Sequence, residues 1–127
     1  MKNIYSNIHK PNFANLKKAK KSIENNNVIG LPTETVYGLA GNAYSDKSIK
    51  KIYSLKKRPL KNPLIIHFYS LKQLKQDVVF SKNFFKLYKA LCPGPITFIL
   101  YRNLNLKSPK QLRLAKKLLL LDFQNTL

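Results

Sequence analysis

Thr33 and Thr35 set two hydroxyls beside Pro32, where a short apolar run ends. If that run is a strand, the hydroxyls lie at a strand end, the place where open α/β sheets hold their substrates. Lys56 and Arg58 stand two residues apart near a predicted helix end. Their charged heads can meet on one anion, and together they balance much of a triphosphate's charge, as clamps on transferring phosphoryl groups do. His67 closes a second apolar run and can bind a carboxylate or orient a nucleophile. Gly38 and Gly41 permit close backbone approach or unusual dihedrals. Each feature also has a plain structural reading. A Lys-X-Arg pair at a helix end is commonly a solvated terminus, a histidine at a strand end is commonly a satisfied structural residue, and threonines suit strands. The functional reading therefore hangs on whether the hydroxyls and the Lys56/Arg58 pair share one cavity.

Several chemistries are excluded. The acids are Glu24, Glu34, Asp46, Asp77 and Asp122, too sparse for a dedicated metal cage, so no metal-ligating residue is assigned. A Walker-type phosphate loop is absent, and no Ser-His-Asp or Cys-His pattern stands out. Cys92 is the single cysteine, which rules out a disulfide framework and suits a reducing cytoplasm. The start, MKNIYSNIHK, lacks the apolar run of a signal peptide, and the longest apolar stretch, Leu118 to Leu121, is too short to span a bilayer. A soluble cytoplasmic chain without a membrane partner is expected.

The formal charge of +19 invites a rival from another class, a non-catalytic basic RNA-binding module, because clustered cations gain affinity for phosphates by releasing counterions. The cations are 21 lysines and three arginines, Arg58, Arg102 and Arg113. Nucleic-acid readers lean on arginine for bidentate contacts. The lysine excess, alongside many Asn, Ile and Leu, is what an AT-rich genome produces, with a weaker functional pull on anions.

The elements that must hold these residues follow from periodicity. Residues 1–12 are a polar lead-in without period. From Asn12 to about Asn26, Phe13, Leu16, Ala19 and Ile23 recur at helical spacing, and Asn25-Asn26-Asn27 forms the stop. Val28 to Leu31 suits a buried strand closed by Pro32, and residues 33–45 mix loop and strand. Asp46 can cap a helix running to about Lys57 with Ile49, Ile52 and Tyr53 inward; Lys56 and Lys57 in its last turn complement the negative end, and Pro59 stops it. Leu64 to Phe68 is a core strand; helices are expected near 71–78 and 82–91, the second capped by Ser81. After Pro93-Gly94-Pro95, Ile96 to Tyr101 is a strand. Strands alternating with helices indicate an α/β domain.

Three ordered blocks carry a resemblance. Gly30-Leu31-Pro32-Thr33-Glu34-Thr35-Val36-Tyr37-Gly38-Leu39 is the first. Lys56-Lys57-Arg58-Pro59, followed by Asn62-Pro63-Leu64 and His67, is the second, and Pro93-Gly94-Pro95-Ile96-Thr97-Phe98-Ile99-Leu100 is the third. In these blocks the chain resembles the YrdC-like threonylcarbamoyl-AMP synthases over about residues 13–101. The resemblance implies a twisted mixed α/β sheet with flanking helices and a basic concave face. It also implies synthesis of L-threonylcarbamoyladenylate from L-threonine, bicarbonate and ATP, with Mg2+ held mainly by the phosphates. A partner transferase would then pass the group to a tRNA adenosine beside the anticodon. By position, Thr33, Tyr37 and His67 would bind threonine, Lys56 and Arg58 would be catalytic and hold the ATP phosphates, and Thr97 would touch the nucleotide. Whether Thr33 or Thr35 makes the closer contact stays open.

Beyond Tyr101 the motifs stop: an Arg-x-Pro segment and a Ser-x-Asn element that such synthases carry are not found in RNLNLKSPKQLRLAKKLLLLDFQNTL. A frameshift between about Tyr101 and Leu118 accounts for this. Regrouping the codons from Leu121 to Thr126 makes Arg-Phe-Pro-Lys-His available, and Leu119 to Leu121 can yield Ile-Ala-Ile. The alternative is a divergent helix starting at Ser108-Pro109, with Leu112, Ala115 and Leu119 on one face. The expected organisation is a lead-in at 1–12, a partial YrdC-like domain at 13–101 and a divergent or frameshifted tail at 102–127. Missing sheet strands, an exposed edge prone to aggregation, and little or no synthase activity are expected to follow.

Overall fold

The computed structural model describes residues 7–33, 36–68, 70–75, 77–94, 96–103 and, for the backbone, 118–122. The chain divides into two compact units, Met1–Lys56 and Lys57–Leu127, each described by itself.

In the first unit, helix α1 (Phe13–Glu24) begins where the Asn12 side chain accepts a hydrogen bond from the Asn15 N–H at 2.9 Å. This satisfies one of the donors that a helix start leaves open. Its end is a paired cap. Asn26, at φ 60°, turns the chain left-handed; its N–H donates to the Ile23 carbonyl at 2.9 Å, and the Asn27 N–H donates to the Ser22 carbonyl at 3.0 Å. Asparagine tolerates that conformation better than most residues, which is why the triple-Asn run is the stop. The expected inward face is only partly used: Ala19 and Ile23 are half-buried, but Phe13 and Leu16 remain exposed. α1 packs on strand β1 (Ile29–Leu31), which pairs antiparallel with β2 (Gly38–Ala40), Ile29 opposite Ala40 and Leu31 opposite Gly38. A two-stranded hairpin buries little, so β1 is not the buried strand expected: Gly30 and Leu31 are exposed.

Helix α2 (Asp46–Leu55) is capped by Ser45, whose hydroxyl accepts from the Ser48 N–H at 3.3 Å, with Asp46 in the first turn. The cap therefore falls one residue earlier than expected, and the Asp46 carboxylate complements the positive helix end instead. Ile49, Ile52 and Tyr53 are buried as expected.

The second unit holds a four-stranded mixed sheet in the order β3-β6-β5-β4: β3 (Ile65–His67), β4 (Val78–Val79), β5 (Thr97–Arg102) and β6 (Leu118–Asp122). β3 and β6 are parallel, while β6–β5 and β5–β4 are antiparallel. Ile66, Phe98 and Leu100 are buried, with Ile65, His67, Thr97 and Ile99 exposed between them, the alternation of a half-covered sheet. Helix α3 (Leu71–Leu74) is a single turn capped by Ser70, and helix α4 (Lys82–Leu91) is capped by Ser81, whose hydroxyl accepts from the Phe84 N–H at 3.2 Å. Leu74, Val78, Phe84 and Phe68 complete the core.

Two expectations are corrected here. The helix near 71–78 stops at Leu74, because Val78 and Val79 pair with Arg102 and Tyr101 as a strand. The tail is not a helix at Leu119, and the sheet does not lack its middle. Leu118–Asp122 forms β6, the strand between β3 and β5. A leucine run with few polar residues suits an interior strand. The proposed helix start at Ser108-Pro109, and Leu112 and Ala115, lie outside the described residues.

Candidate functional site

In the first unit the chemistry-bearing residues sit on the turn joining β1 to β2. The Thr33 N–H donates to the Val36 carbonyl at 3.2 Å, the Thr33 hydroxyl donates to the same carbonyl, and the Val36 N–H donates back to Thr33 Oγ1 at 3.2 Å. A hydroxyl has one proton, and that of Thr33 is committed to the Val36 carbonyl. Tyr37 follows, a residue 80% exposed. Glu34 and Thr35 lie outside the described residues.

The glycines divide. A Cβ at Gly38 would meet the Thr33 methyl at 3.4 Å, an ordinary contact, whereas one at Gly41 would collide with Ser48 Oγ. That oxygen is fully buried and accepts from the Asn42 N–H at 3.1 Å. Gly41 thus has the close approach expected of it, and Gly38 does not need one. The Gly41–Ser48 contact ties the end of β2 to the start of α2, and so fixes where α2 delivers its last residues.

Lys56 is the C-cap of α2, its N–H donating to the Ile52 carbonyl at 3.0 Å, and Lys57 follows at φ 47°. Both lysines lie past the last turn, which itself carries no base. The left-handed residue turns the chain sharply between the two cations of the Lys-X-Arg element.

In the second unit Arg58 is folded onto its own loop. Nε donates to the Asn62 carbonyl at 3.2 Å and Nη2 to the Pro63 carbonyl at 2.9 Å. Two of five guanidinium donors are used; the side chain is exposed, and the remaining donors can form a fork for phosphate or carboxylate. The Asn-Pro pair after the Lys-X-Arg element thus has a visible purpose that sequence reading missed: consecutive carbonyls aim the arginine.

His67 and Thr97 come together through the sheet. Both are in register with Asp122 on β6, His67 from β3 and Thr97 from β5, and so share a row two strand spacings apart, roughly 10 Å. Both are exposed, while the neighbouring row, Ile66 and Phe98, is buried. They therefore occupy the uncovered face, spaced for one ligand to touch both. Among the described residues no group of three His, Cys, Asp or Glu is placed to hold a metal. No helix among them is long and apolar enough to cross a membrane.

A hairpin turn closed by Thr33, a carbonyl-aimed arginine and a polar row on a mixed sheet are thus held by helices and strands of an α/β fold. The family model Sua5/YciO/YrdC, described as "Telomere recombination", matches residues 21–118, and the chain belongs to that family. The match runs past Tyr101, so the likeness does not end where the recognisable motifs do. The chain is 40% identical over 90 residues to a threonylcarbamoyl-AMP synthase of Bacillus subtilis, covering 70% of this chain and 26% of that protein. Against the threonylcarbamoyl-AMP synthase of Pyrococcus abyssi it is 42% identical over 82 residues, 61% of this chain and 23% of the relative. The crystal structure of Pyrococcus abyssi Sua5 complexed with L-threonine superposes with a TM-score of 0.82 at 28% identity, over 93% of this chain and 34% of that one. The chain thus spans about a quarter to a third of the length of these relatives.

Proposed function

We propose that this chain carries the threonine- and phosphate-binding part of a threonylcarbamoyl-AMP synthase, working on L-threonine, bicarbonate and ATP. Two local observations bear most weight, each within its own unit: a Thr33 hydroxyl whose proton goes to Val36, and an Arg58 guanidinium aimed by the Asn62 and Pro63 carbonyls. Both fall on motifs shared with relatives named for that activity. Thr33 would accept a hydrogen bond from the ammonium or hydroxyl of threonine, with Tyr37 shaping the pocket and His67 taking the carboxylate. Lys56 and Arg58 would hold the ATP phosphates, and Thr97 would touch the nucleotide.

In this scheme the threonine nitrogen, as free amine, attacks the carbon of bicarbonate and water leaves, giving a carbamate. A carbamate oxygen then attacks the α-phosphorus, and the bond to the β-phosphate bridging oxygen breaks to release pyrophosphate. Both reactants are anions, so fixed cations must bring them together and take up charge on the departing oxygen. Mg2+ would arrive on the triphosphate and add charge neutralisation; the scarcity of acids in the chain suits an ion held by phosphates and water. A partner transferase would deliver the product to tRNA in the cytoplasm. Residues 13–101 carry the blocks on which this reading rests, after a lead-in at 1–12. The divergent or frameshifted origin of 102–127 is a separate proposal that the coding DNA downstream of Pro95 would test.

Ligand-linked stability tests the function. ATP and L-threonine together should raise Tm, each at saturating concentration adding roughly 3–4 kcal/mol at a hundred to a thousand times Kd. No shift with either ligand would overturn the proposal and favour a non-catalytic RNA-binding module. Threonine-dependent pyrophosphate release then measures whether residues 1–127 suffice for turnover, where little or none is expected.

A further inference from the structure

Outside these residues, the second unit has a depression of about 300 Å³ between α3 and α4, lined by Leu71, Lys72, Lys75, Phe80 and Phe85. Its aromatic wall is the outer part of a packed cluster. Phe80 stacks on Phe84 with centroids 4.8 Å apart and lies 5.2 Å from Phe85; Phe84 meets Phe98 edge-on at 5.2 Å. Phe84 and Phe98 are core residues at 2% and 8% exposure, whereas Phe85 is 43% exposed. An aromatic ring left this open beside a packed cluster is a platform on which a flat group can stack without repacking the core.

The rim specifies the charge of the occupant. Lys72 and Lys75, three residues apart on one ridge, are both exposed. Lys82 and Lys89 stand three before and four after Phe85, on the same side of α4, with Lys86 beside them, and all three are exposed. This lysine line spans about 10 Å of helix axis at 1.5 Å per residue, which is longer than one mononucleotide phosphate needs. Between residues 70 and 94 the sequence has one acid, Asp77, and it is buried. Within this stretch the platform thus faces cations with no exposed carboxylate among them.

We propose that this depression binds one unpaired base of a single-stranded polynucleotide, stacked on Phe85, with Lys72, Lys75 and the α4 lysines on successive phosphates. Aromatic platforms flanked by cations are how sequence-tolerant single-strand binders work. The proposal does not rest on the synthase reading, whose residues lie elsewhere in the chain.

The chain has no tryptophan, so Phe85→Trp adds a single indole, and its emission should be quenched when dodecauridylate is added. By fluorescence anisotropy with labelled dodecauridylate, Phe85→Ala should weaken binding about tenfold at fixed salt, while Phe85→Trp retains it. The double change Lys72→Gln and Lys75→Gln should instead flatten the slope of log K against log salt by roughly 1.4, or about 0.7 for each phosphate no longer neutralised. Unchanged affinity in Phe85→Ala together with unquenched indole emission would overturn the proposal. So would equal binding of an abasic oligomer, of uridine monophosphate with the same Phe85 dependence, or of polyglutamate, the last pointing to an acidic protein partner.

Discussion

Thr33 and Arg58 are both tied to main chain a few residues further on, and the ties have opposite consequences. Thr33 closes the β1–β2 turn by giving its only hydroxyl proton to Val36, so that proton is withheld from anything else. Arg58 gives Nε and Nη2 protons to Asn62 and Pro63 and keeps its other three donors. The same local device withholds a proton in one loop and aims a donor in the other. Polarity at a site is thus set by what the backbone takes first.

The sharpest way to break the comparison is at Arg58. Arg58→Lys keeps the charge but loses the two-carbonyl anchorage and the fork, so the dissociation constant for ATP should rise about 10- to 100-fold, the value of charged hydrogen bonds, as titration calorimetry would read. An unchanged constant would mean that the aimed guanidinium does not touch phosphate. Gly41→Ala comes next. Its methyl must displace the buried Ser48 Oγ, and urea unfolding should show a loss of about 1–3 kcal/mol, much of it recovered when Ser48→Ala is added.

Thr33→Val removes the hydroxyl while keeping the shape. About 1 kcal/mol of stability should go with the turn's hydrogen bonds, and the threonine-dependent rise in Tm should vanish while the ATP-dependent one persists; Thr33→Ser should restore both. Loss of the ATP response as well would show that the two loops do not act separately. The smallest effect is expected at Lys57, a lysine held at φ 47°. Lys57→Gly should be neutral or stabilising by up to about 1 kcal/mol, and Lys57→Val clearly destabilising, as thermal unfolding would show.

Much of the candidate site could be read from the residues themselves because its signals are local. Asn12, Ser81 and the triple asparagine mark helix ends through bonds spanning three to five residues, and Ile49, Ile52 and Tyr53 show the buried face of α2 by period alone. The threonines, the Lys-X-Arg element and His67 were legible as residue types at a spacing, which says what they can do but not how they are held. Seeing that the Thr33 proton goes to Val36 and that Arg58 is braced by Asn62 and Pro63 required the loops to be closed.

Strand pairing was the other matter that residue order left open. Val78 and Val79 are a strand because Tyr101 and Arg102 lie beside them, and Leu118–Asp122 is the inner strand because β3 and β5 leave a place for it. The pairing of His67 and Thr97 on one row follows from that same insertion. The caps at Ser81 and the triple asparagine and the buried face of α2 are decided within a few residues, so the sequence by itself determined them. The exposed Phe13 and Leu16 of α1 show, by contrast, that a periodic face still needs a partner to bury it. Sheet order and register depend on partners dozens of residues away, whose closure entropy and competing pairings no local pattern encodes, and only the tertiary structure decided them.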